Sequence, residues 1–264
     1  MDILESVILG AVQGITEFLP VSSSGHLQLV KELLGVELEE NLTFDVTLHA
    51  ATVLSTIVVL WSEIWWLLRG LFSRGMNDEK RYAIKLIISM IPIGIVGMLC
   101  MEQLDALLAS EYIMVVVGAM LLLTSALLSF AYYAHPRCKQ DISYRDAFII
   151  GLSQAVASMP GLSRSGTTIA TGLLLGNEKS AVATFSFLMV LAPIMGQTLL
   201  DMVDGGIAIA DIGVMPLVAG FISAFVVGCL ACRFMINIVK RGKLIWFALY
   251  CAVVGVVAIA SYFI

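Results

Sequence analysis

The segment Pro20-Val-Ser-Ser-Ser-Gly25 interrupts an apolar region that extends over residues 3–35. A second apolar region, 145–176, is interrupted in the same way by Pro160-Gly-Leu-Ser-Arg-Ser-Gly166. The arm that follows each interruption is too short to cross a hydrocarbon core about 30 Å thick. We therefore predict two re-entrant helix–loop–helix hairpins, the first over 3–35 and the second over 145–176. A helix broken at membrane depth is tolerated only where it lines a cavity inside the protein.

The chain as a whole has the composition of a membrane protein. Of its 264 residues, 59% are apolar and 13% are charged, and its mean hydropathy is +0.97. An ordinary soluble domain carries about twice that charge, so a soluble globular protein is excluded. Nucleic-acid binding is excluded as well, because no basic stripe exists. We predict a single all-α polytopic membrane domain over 1–264. Its six spans are 44–68, 84–101, 112–134, 183–203, 212–232 and 244–264.

The two hairpins belong to an internal repeat. At a constant offset of 141 residues, segments 10–44 and 151–185 share 11 identities in 35 positions without a gap. The identical pairs include Gly10/Gly151, Gln13/Gln154, Ser22/Ser163, Ser24/Ser165, Gly25/Gly166 and Phe44/Phe185. Repeat 1, about 1–141, and repeat 2, about 142–264, then each hold one hairpin and three spans. Because three is odd, the second hairpin must enter from the opposite face, and we predict an inverted-topology repeat.

The placement of basic residues predicts the orientation. Thirteen of the fifteen Lys and Arg residues fall on one side of this topology, and the loops of the other side contain acidic residues only. The basic loops are 69–85, 135–145 and 233–243, with Lys179 beside them; the acidic loops are 36–42, 102–111 and 201–211. By the positive-inside rule the basic side is cytoplasmic. We therefore predict a cytoplasmic (inner) membrane protein whose first hairpin and termini face outward.

Gln13 and Glu17 lie four residues apart on the first arm, so they share one helix face. A carboxylate at membrane depth is costly, and its presence indicates a functional site. The alternative is a structural Glu17 that merely pairs with a helix or with Arg164.

The serine loops precede the second arm of each hairpin. Ser22, Ser23 and Ser24 come before a helix predicted to begin at Gly25, and Ser163, Arg164 and Ser165 come before Gly166. Ordinary N-capping explains one serine in each loop. However, a helix N-terminus also favours anions, and Arg164 adds a planar fork suited to bidentate phosphate contact. We predict that the two loops converge near the midplane and bind phosphate.

Three further groups of residues have a structural interpretation, which for His26 stands beside a functional one. His26 follows the first serine loop and could transfer a proton, or it could be a hydrogen-bonded structural residue. Asp45 and His49 are four residues apart on one helix face, which favours a structural hydrogen bond between them over a functional role. Trp61, Trp65 and Trp66 end a predicted span and are typical of an interfacial aromatic belt.

The residues Gly10-Ala-Val-Gln-Gly-Ile-Thr-Glu-Phe-Leu-Pro-Val-Ser-Ser-Ser-Gly-His-Leu27 resemble the first signature of the undecaprenyl-diphosphatase family, also called bacitracin-resistance proteins. The (Glu/Gln)-x-x-x-Glu element of that family matches Gln13 and Glu17. Pro160-Gly-Leu-Ser-Arg-Ser-Gly-Thr167, followed by Thr168, is similar to the second signature. The resemblance covers essentially the whole chain.

This resemblance implies hydrolysis of undecaprenyl diphosphate at the outer face of the cytoplasmic membrane. It also implies a divalent cation (Mg²⁺ or Ca²⁺) bound by Glu17 and Gln13. Because Gln13 is neutral, such a metal site has one negative charge fewer than a site with two glutamates. Glu17, Ser23, His26 and Arg164 are the expected catalytic residues. Ser23 is the expected nucleophile, activated by His26; water oriented on Glu17 is the alternative. The expected substrate-binding residues are Ser22, Ser24, Gln154, Ser163, Ser165, Thr167 and Thr168.

The expected partners are a polyprenyl diphosphate and membrane lipids, with no nucleic acid, and a homodimer is the assembly to test for. A secondary transporter or lipid flippase is the alternative function, because inverted repeats with broken helices are a transporter architecture. Gated access from both sides would favour transport, whereas a cavity open to one side favours an enzyme.

Overall fold

The computed structural model describes residues 1–36, 42–108, 110, 112–134, 139–204 and 213–262. These residues form helices and connecting loops and contain no β-strand, which confirms the predicted all-α class. The helices are α1 Ile3–Thr16, α2 Ser23–Leu34, α3 Leu42–Val59, α4 Trp61–Leu71, α5 Asp78–Leu99, α6 Met101–Leu108, α7 Ile113–Tyr133, α8 Tyr144–Val156, α9 Arg164–Leu174, α10 Lys179–Asp204, α11 Val214–Arg241 and α12 Ile245–Tyr262. Much of the acidic loops 36–42 and 201–211, and His135 to Cys138, lie outside the described residues.

Five helices are long and apolar enough to cross a membrane: α5, α7, α10, α11 and α12. They correspond to five of the six predicted spans. The predicted span 44–68 is different, because it is divided into α3 and α4, which meet at an angle of 76°. The number of spans is therefore five, or six if the bent pair is one span.

The bend at Leu60 separates two helices with different surroundings. α3 is lined with buried side chains, whereas α4 buries only Leu67 and Gly70. Its exposed face carries the three tryptophans, and the Arg69 guanidinium lies 4.9 Å from the ring centroid of Trp65. Aromatic rings and a basic side chain of this kind prefer the boundary between lipid and water. The chain therefore turns where its buried face ends, a change that hydropathy averaged over the segment does not reveal.

Both predicted hairpins contain two helices with a break between them. The break lies at residues 17–22 between α1 and α2, and at 157–163 between α8 and α9. The second helix of each hairpin begins two residues earlier than predicted, at Ser23 and Arg164 instead of at Gly25 and Gly166. Ser163 is the N-cap of α9, since its hydroxyl accepts a hydrogen bond from the Gly166 N–H at 3.1 Å.

Small residues bring α1 against α11. A Cβ added to Gly14 would lie 2.7 Å from the Ala224 carbonyl oxygen and 2.8 Å from the Gly228 nitrogen. The Ser223 hydroxyl donates to the Val7 carbonyl at 2.7 Å. Lipid offers no hydrophobic force between helices, so close backbone approach and interhelical hydrogen bonds stabilise such a pair. A corresponding contact joins α8 to α5, where Gly151 packs directly on the backbone of Ser89.

The basic segments meet at one end of the bundle. The Lys85 ammonium lies 5.7 Å from the Tyr144 ring, and Lys179 approaches Gly242. The Lys139 N–H donates to the Gly176 carbonyl at 3.1 Å, which places the open end of the second hairpin there as well. The first hairpin packs elsewhere, in an apolar cluster with the beginnings of α3 and α11. That cluster contains Leu9, Leu27, Phe44, Leu48 and Leu217.

Candidate active site

The broken points of the two hairpins touch each other. A Cβ added to Gly166 would lie 2.9 Å from the Cβ of Pro20, and the Ser165 hydroxyl donates to the Leu19 carbonyl at 3.4 Å. The structure thus brings together the two serine loops, which are separated by 141 residues in the sequence. Polar side chains from both halves of the chain meet at this contact.

Glu17 is the centre of the polar group. Its Oε2 accepts hydrogen bonds from the Ser23 hydroxyl at 2.7 Å and from the Gln13 amide at 3.0 Å. Its Oε1 pairs with Nη2 of Arg164 at 3.3 Å. The Glu17 side chain is 6% exposed. A buried carboxylate is stable only with partners of this kind.

The structure directs the Ser23 hydroxyl at Glu17 and not at His26. The Ser23 hydroxyl donates to Glu17, whereas both ring nitrogens of His26 have other partners. His26 Nδ1 lies 2.8 Å from the Ser22 carbonyl oxygen, and Nε2 lies 2.6 Å from the Tyr250 hydroxyl. Because a carbonyl oxygen only accepts, Nδ1 carries the proton, and in the neutral ring Nε2 accepts from Tyr250.

Ser22 has an unusual backbone. Its φ of +70° is the only positive value at a non-glycine residue among the described residues. For an L-residue this left-handed conformation costs roughly 1–2 kcal/mol. Ser163, the equivalent residue of the second repeat, has the ordinary φ of −70°. The two serine loops therefore differ in conformation at equivalent positions.

A cavity of about 600 Å³ opens beside Glu17. Polar side chains line one part of it: Thr16, Glu17, Ser22, Ser23, Ser24, Ser158, Ser163, Arg164 and Ser165. The other part is apolar and is formed by α5, α6 and α10, including Met90, Ile93, Met98, Leu104, Ala192 and Pro193. The cavity thus combines a charged end with an apolar passage, as an amphiphilic ligand requires.

Three glycines keep the apolar passage wide. Gly94 and Gly97 of α5 and Gly196 of α10 line the cavity, and an added Cβ would meet no atom of the described residues within 4 Å. In ten of the other eleven glycines of the described helices, an added Cβ would lie within 3.0 Å of a neighbouring atom. Close packing therefore explains those ten glycines but not these three.

Not every residue expected at the site lines the cavity. Gln154 and the Thr167 hydroxyl are buried, without a hydrogen-bond partner among the described residues. The Thr168 hydroxyl donates back to the Arg164 carbonyl at 3.0 Å. His26 and Gln13 are not among the residues that line the cavity either. Conversely, Thr16, Ser158 and the residues of α5 and α10 line the cavity, although apolar spans give no sequence signal of such a role.

The expected hydrogen bond between Asp45 and His49 is formed through the Asp45 main chain and not through its carboxylate. Both carboxylate oxygens of Asp45 accept from the Lys31 ammonium at 2.6 Å, and Lys31 is 4% exposed. His49 Nδ1 instead contacts the Asp45 carbonyl oxygen at 2.8 Å. A buried ammonium must be paired, so Lys31 takes the carboxylate that sequence spacing assigned to His49.

The residues around Glu17 fit a divalent cation whose ligands come partly from the protein and partly from a bound substrate. No group of three His, Cys, Asp or Glu side chains that could hold a metal is found among the described residues. However, the buried Gln13 Oε1 lacks a hydrogen-bond partner within the same part of the chain, and it belongs to the side chain that contacts Glu17. Mg²⁺ is held by one or two carboxylates together with phosphate oxygens and waters. One carboxylate and one free amide oxygen suit that arrangement.

Comparison with known proteins places these motifs in a family. A family model described as bacitracin resistance protein BacA matches residues 6–257. A protein named undecaprenyl-diphosphatase from Bacteroides fragilis is 60% identical over 262 residues, covering 98% of both chains. One of that name from Bacteroides thetaiotaomicron is 58% identical over 264 residues, covering 99% of each. One from Methanosphaera stadtmanae is 37% identical over 276 residues, covering 98% of each.

Proposed function

The chain belongs to the bacitracin resistance protein BacA family, and on that premise we propose which of its residues carry out the reaction. It is a phosphatase that hydrolyses undecaprenyl diphosphate to undecaprenyl phosphate and inorganic phosphate. The reaction recycles the lipid carrier of cell-wall synthesis and confers resistance to bacitracin. No feature of the described residues favours the transporter alternative.

Ser23 is the proposed nucleophile and Glu17 its base. The observation that carries this assignment is the 2.7 Å hydrogen bond from the Ser23 hydroxyl to Glu17 Oε2 at the polar end of the cavity. A hydroxyl is a weak nucleophile until a neighbouring base accepts its proton. Glu17 takes this role in place of His26, because His26 has no nitrogen directed at Ser23.

In the first step the Ser23 oxygen forms a bond to the terminal phosphorus, and the bond from that phosphorus to the bridging oxygen breaks. Undecaprenyl phosphate leaves with the electron pair of the broken bond, and the Ser23 proton passes to Glu17. Water then forms a bond to the same phosphorus, the bond from phosphorus to the Ser23 oxygen breaks, and inorganic phosphate leaves while Glu17 returns its proton to the Ser23 oxygen. Arg164, which lines the same cavity, binds the phosphate oxygens and stabilises the charge that develops on them.

A divalent cation would be held by Glu17 and Gln13 together with the diphosphate. Its chemistry when bound is to screen the phosphate charges and polarise the P–O bonds. The unpartnered Gln13 Oε1 beside the Glu17 carboxylate supports this assignment. Ser22, Ser24, Ser163 and Ser165 surround the same space and would contact the head group.

The apolar part of the cavity would take the start of the isoprenoid chain. A cavity of about 600 Å³ has the size that suits a drug-sized ligand, so most of an undecaprenyl chain must remain in the bilayer. The α5 and α10 helices contact each other near their beginnings through Tyr82 and Phe185, whose ring centroids are 5.7 Å apart. Farther along, Gly94, Gly97 and Gly196 leave the space through which the chain would pass.

The proposed orientation is that of an inverted repeat in the cytoplasmic membrane, with the cavity opening outward. The packing supports it, since the beginning of α11 contacts the first hairpin near Leu217, whereas Gly242, just after the end of α11, is approached by Lys179, which follows the second hairpin. A helix of 28 residues is about 42 Å long, so these two contacts lie at opposite ends of one helix. The basic residues lie at the end of the second hairpin, which the positive-inside rule assigns to the cytoplasm.

The experiment that tests the assignment is phosphate release by the detergent-purified protein from a polyprenyl diphosphate. Ser23→Ala should abolish turnover while a non-hydrolysable diphosphate analogue still binds. EDTA should abolish activity and added Mg²⁺ or Ca²⁺ should restore it. Normal turnover by Ser23→Ala would instead assign the attack to water oriented on Glu17.

A further inference from the structure

We infer that His26 and Tyr250 are positioning residues that hold Ser22 in its left-handed conformation and thereby direct the Ser23 hydroxyl at Glu17. The inference rests on the proposed function of Ser23. It assigns a role in the reaction to Tyr250, a residue of the last helix, and it replaces proton transfer by His26 with a structural task.

The contacts of His26 converge on one carbonyl group. Its backbone N–H and its ring Nδ1 both point to the Ser22 oxygen, at 3.4 and 2.8 Å. The Ser22 carbonyl is therefore fixed from two directions, and with it the peptide plane that leads into Ser23. Ser23 is the first residue of α2, so the orientation of that peptide decides where the Ser23 side chain points.

Tyr250 fixes the ring of His26 in turn. The Tyr250 hydroxyl lies 2.6 Å from Nε2, and the two rings stack with centroids 5.6 Å apart and an interplanar angle of 22°. The next residue, Cys251, donates from its thiol to the Pro20 carbonyl at 3.2 Å. α12 thus contacts the first serine loop on both sides of Ser22, which makes it a rigid support for that loop.

The second repeat provides an internal comparison. Thr167 occupies the position equivalent to His26, and its hydroxyl has no hydrogen-bond partner among the described residues. Ser163, equivalent to Ser22, is extended at φ −70° and ψ 116°, and it caps its helix instead. The left-handed serine occurs in the loop that has the histidine and the candidate nucleophile. The loop without the histidine adopts the relaxed conformation.

Glycine at position 22 would separate positioning from proton transfer, because glycine adopts a positive φ without strain. The test is a double-mutant cycle of His26→Ala and Ser22→Gly, with kcat measured for phosphate release by all four proteins. In the parent background His26→Ala should lower kcat at least tenfold. In the Ser22→Gly background the same change should lower kcat less than threefold, since the backbone no longer needs the histidine. An equal loss in both backgrounds would overturn the inference.

The pH profile of kcat gives a second readout. If His26 only positions Ser22, His26→Ala lowers the rate at every pH and leaves the shape of the profile unchanged. Loss of one limb of the profile would identify His26 as a proton-transfer group and contradict the inference. Tyr250→Phe keeps the stacked ring and removes the hydroxyl, so it should lower kcat severalfold. The matched control, Tyr133→Phe on an exposed tyrosine of α7, should not change kcat.

Thermal unfolding of the same four proteins keeps this inference separate from the proposed function. His26→Ala should lower the Tm more when residue 22 is serine than when it is glycine, whether or not phosphate is released. A parent protein that releases no phosphate would contradict the proposed function. The Tm values of the four proteins would still show whether His26 supports Ser22. Additive shifts in Tm would show that His26 does not support Ser22.

Discussion

Glu17 and Arg164 each compensate the charge of the other at the meeting point of the hairpins. Their ion pair at 3.3 Å joins the two repeats, and the Glu17 side chain is 6% exposed. Removing one partner of such a pair leaves an uncompensated charge, which costs more than the pair itself contributes. An anionic head group that binds Arg164 must therefore also leave Glu17 with a cationic partner, a requirement that a bound divalent cation would meet.

Arg164 should not be replaceable by lysine. The Arg164→Lys variant keeps the charge but loses the planar fork for bidentate phosphate contact. We expect a loss of about 3 kcal/mol in transition-state stabilisation, or roughly a hundredfold in kcat/KM, and a larger loss for Arg164→Ala. Phosphate release with a polyprenyl diphosphate measures both. Full activity of Arg164→Lys would show that the planar fork is not needed and that Arg164 only balances the charge of Glu17.

A substitution at Gln13 can test the cation site while leaving the site able to bind the cation. Gln13→Glu adds a second carboxylate beside Glu17, so the protein should remain active and need less Mg²⁺ for half-maximal rate. Glu17→Ala should nearly abolish activity at any Mg²⁺ concentration. Titration of rate against free Mg²⁺ for both variants is the measurement. An unchanged Mg²⁺ dependence in Gln13→Glu would place the cation elsewhere.

Several features of the site could be predicted from sequence because they depend on spacing. Gln13 and Glu17 share a helix face, and the breaks that hold the two serine loops, which the internal repeat predicts to converge, touch each other. The partnership of His26 with Tyr250 could not be predicted, because the two residues are 224 positions apart and a tyrosine in an apolar span has no distinguishing pattern. The left-handed conformation of Ser22 could not be predicted either, since nothing in a run of three serines indicates that one of them has a positive φ.

At the scale of the helix, glycine has two opposite roles in this protein. In α1 it lets a neighbouring backbone approach closely, as Gly14 does against Ala224 and Gly228. In α5 it leaves space unfilled, as at Gly94 and Gly97. Sequence alone does not distinguish these roles, because both kinds of glycine lie in apolar helices. The bend at Leu60 is hidden for a similar reason, since the segment is apolar on both sides of it.

A matched pair of alanine substitutions should separate the two roles. Gly14→Ala forces α1 and α11 apart, because the atoms that its Cβ would meet belong to backbone, and it should destabilise the protein by roughly 1–3 kcal/mol. Gly94→Ala meets no atom of the described residues within 4 Å and should leave the Tm unchanged or raise it slightly. Thermal unfolding in detergent compares the two. Equal losses of Tm would mean that Gly94 is also packed.

A larger side chain at the same opening should affect substrate selection. Gly97→Leu would narrow the space between α5 and α10, and it should lower kcat/KM for undecaprenyl diphosphate much more than for a short-chain diphosphate such as the farnesyl ester. Comparison of the two substrates is the measurement, and the parent ratio is the control. A proportional loss for both substrates would show that the chain leaves the cavity by another route.

At the scale of the whole molecule, the proposed inverted repeat predicts which loops face each side of the membrane. In a variant lacking the native cysteines, Asp105→Cys should react with an impermeant thiol reagent in intact cells. Arg74→Cys should not react. Arg74 is exposed at the basic end and serves better than the adjacent Gly75, whose φ of +84° makes a side chain strained. Labelling at Arg74 from outside would contradict the proposed orientation.

α1 packs on α11, a helix near the other end of the chain. The first helix therefore leaves the ribosome long before the helix that it packs on has been synthesised. The hydrogen bond from Ser223 to Val7 joins residues 216 apart, a delay of roughly 10–40 s at ordinary rates of synthesis. During that interval the small-residue face of α1 has no helix to receive it, and Glu17 has no Arg164. A chain truncated before α11 should therefore be degraded by membrane quality-control proteases, and co-expression of the missing fragment should protect it.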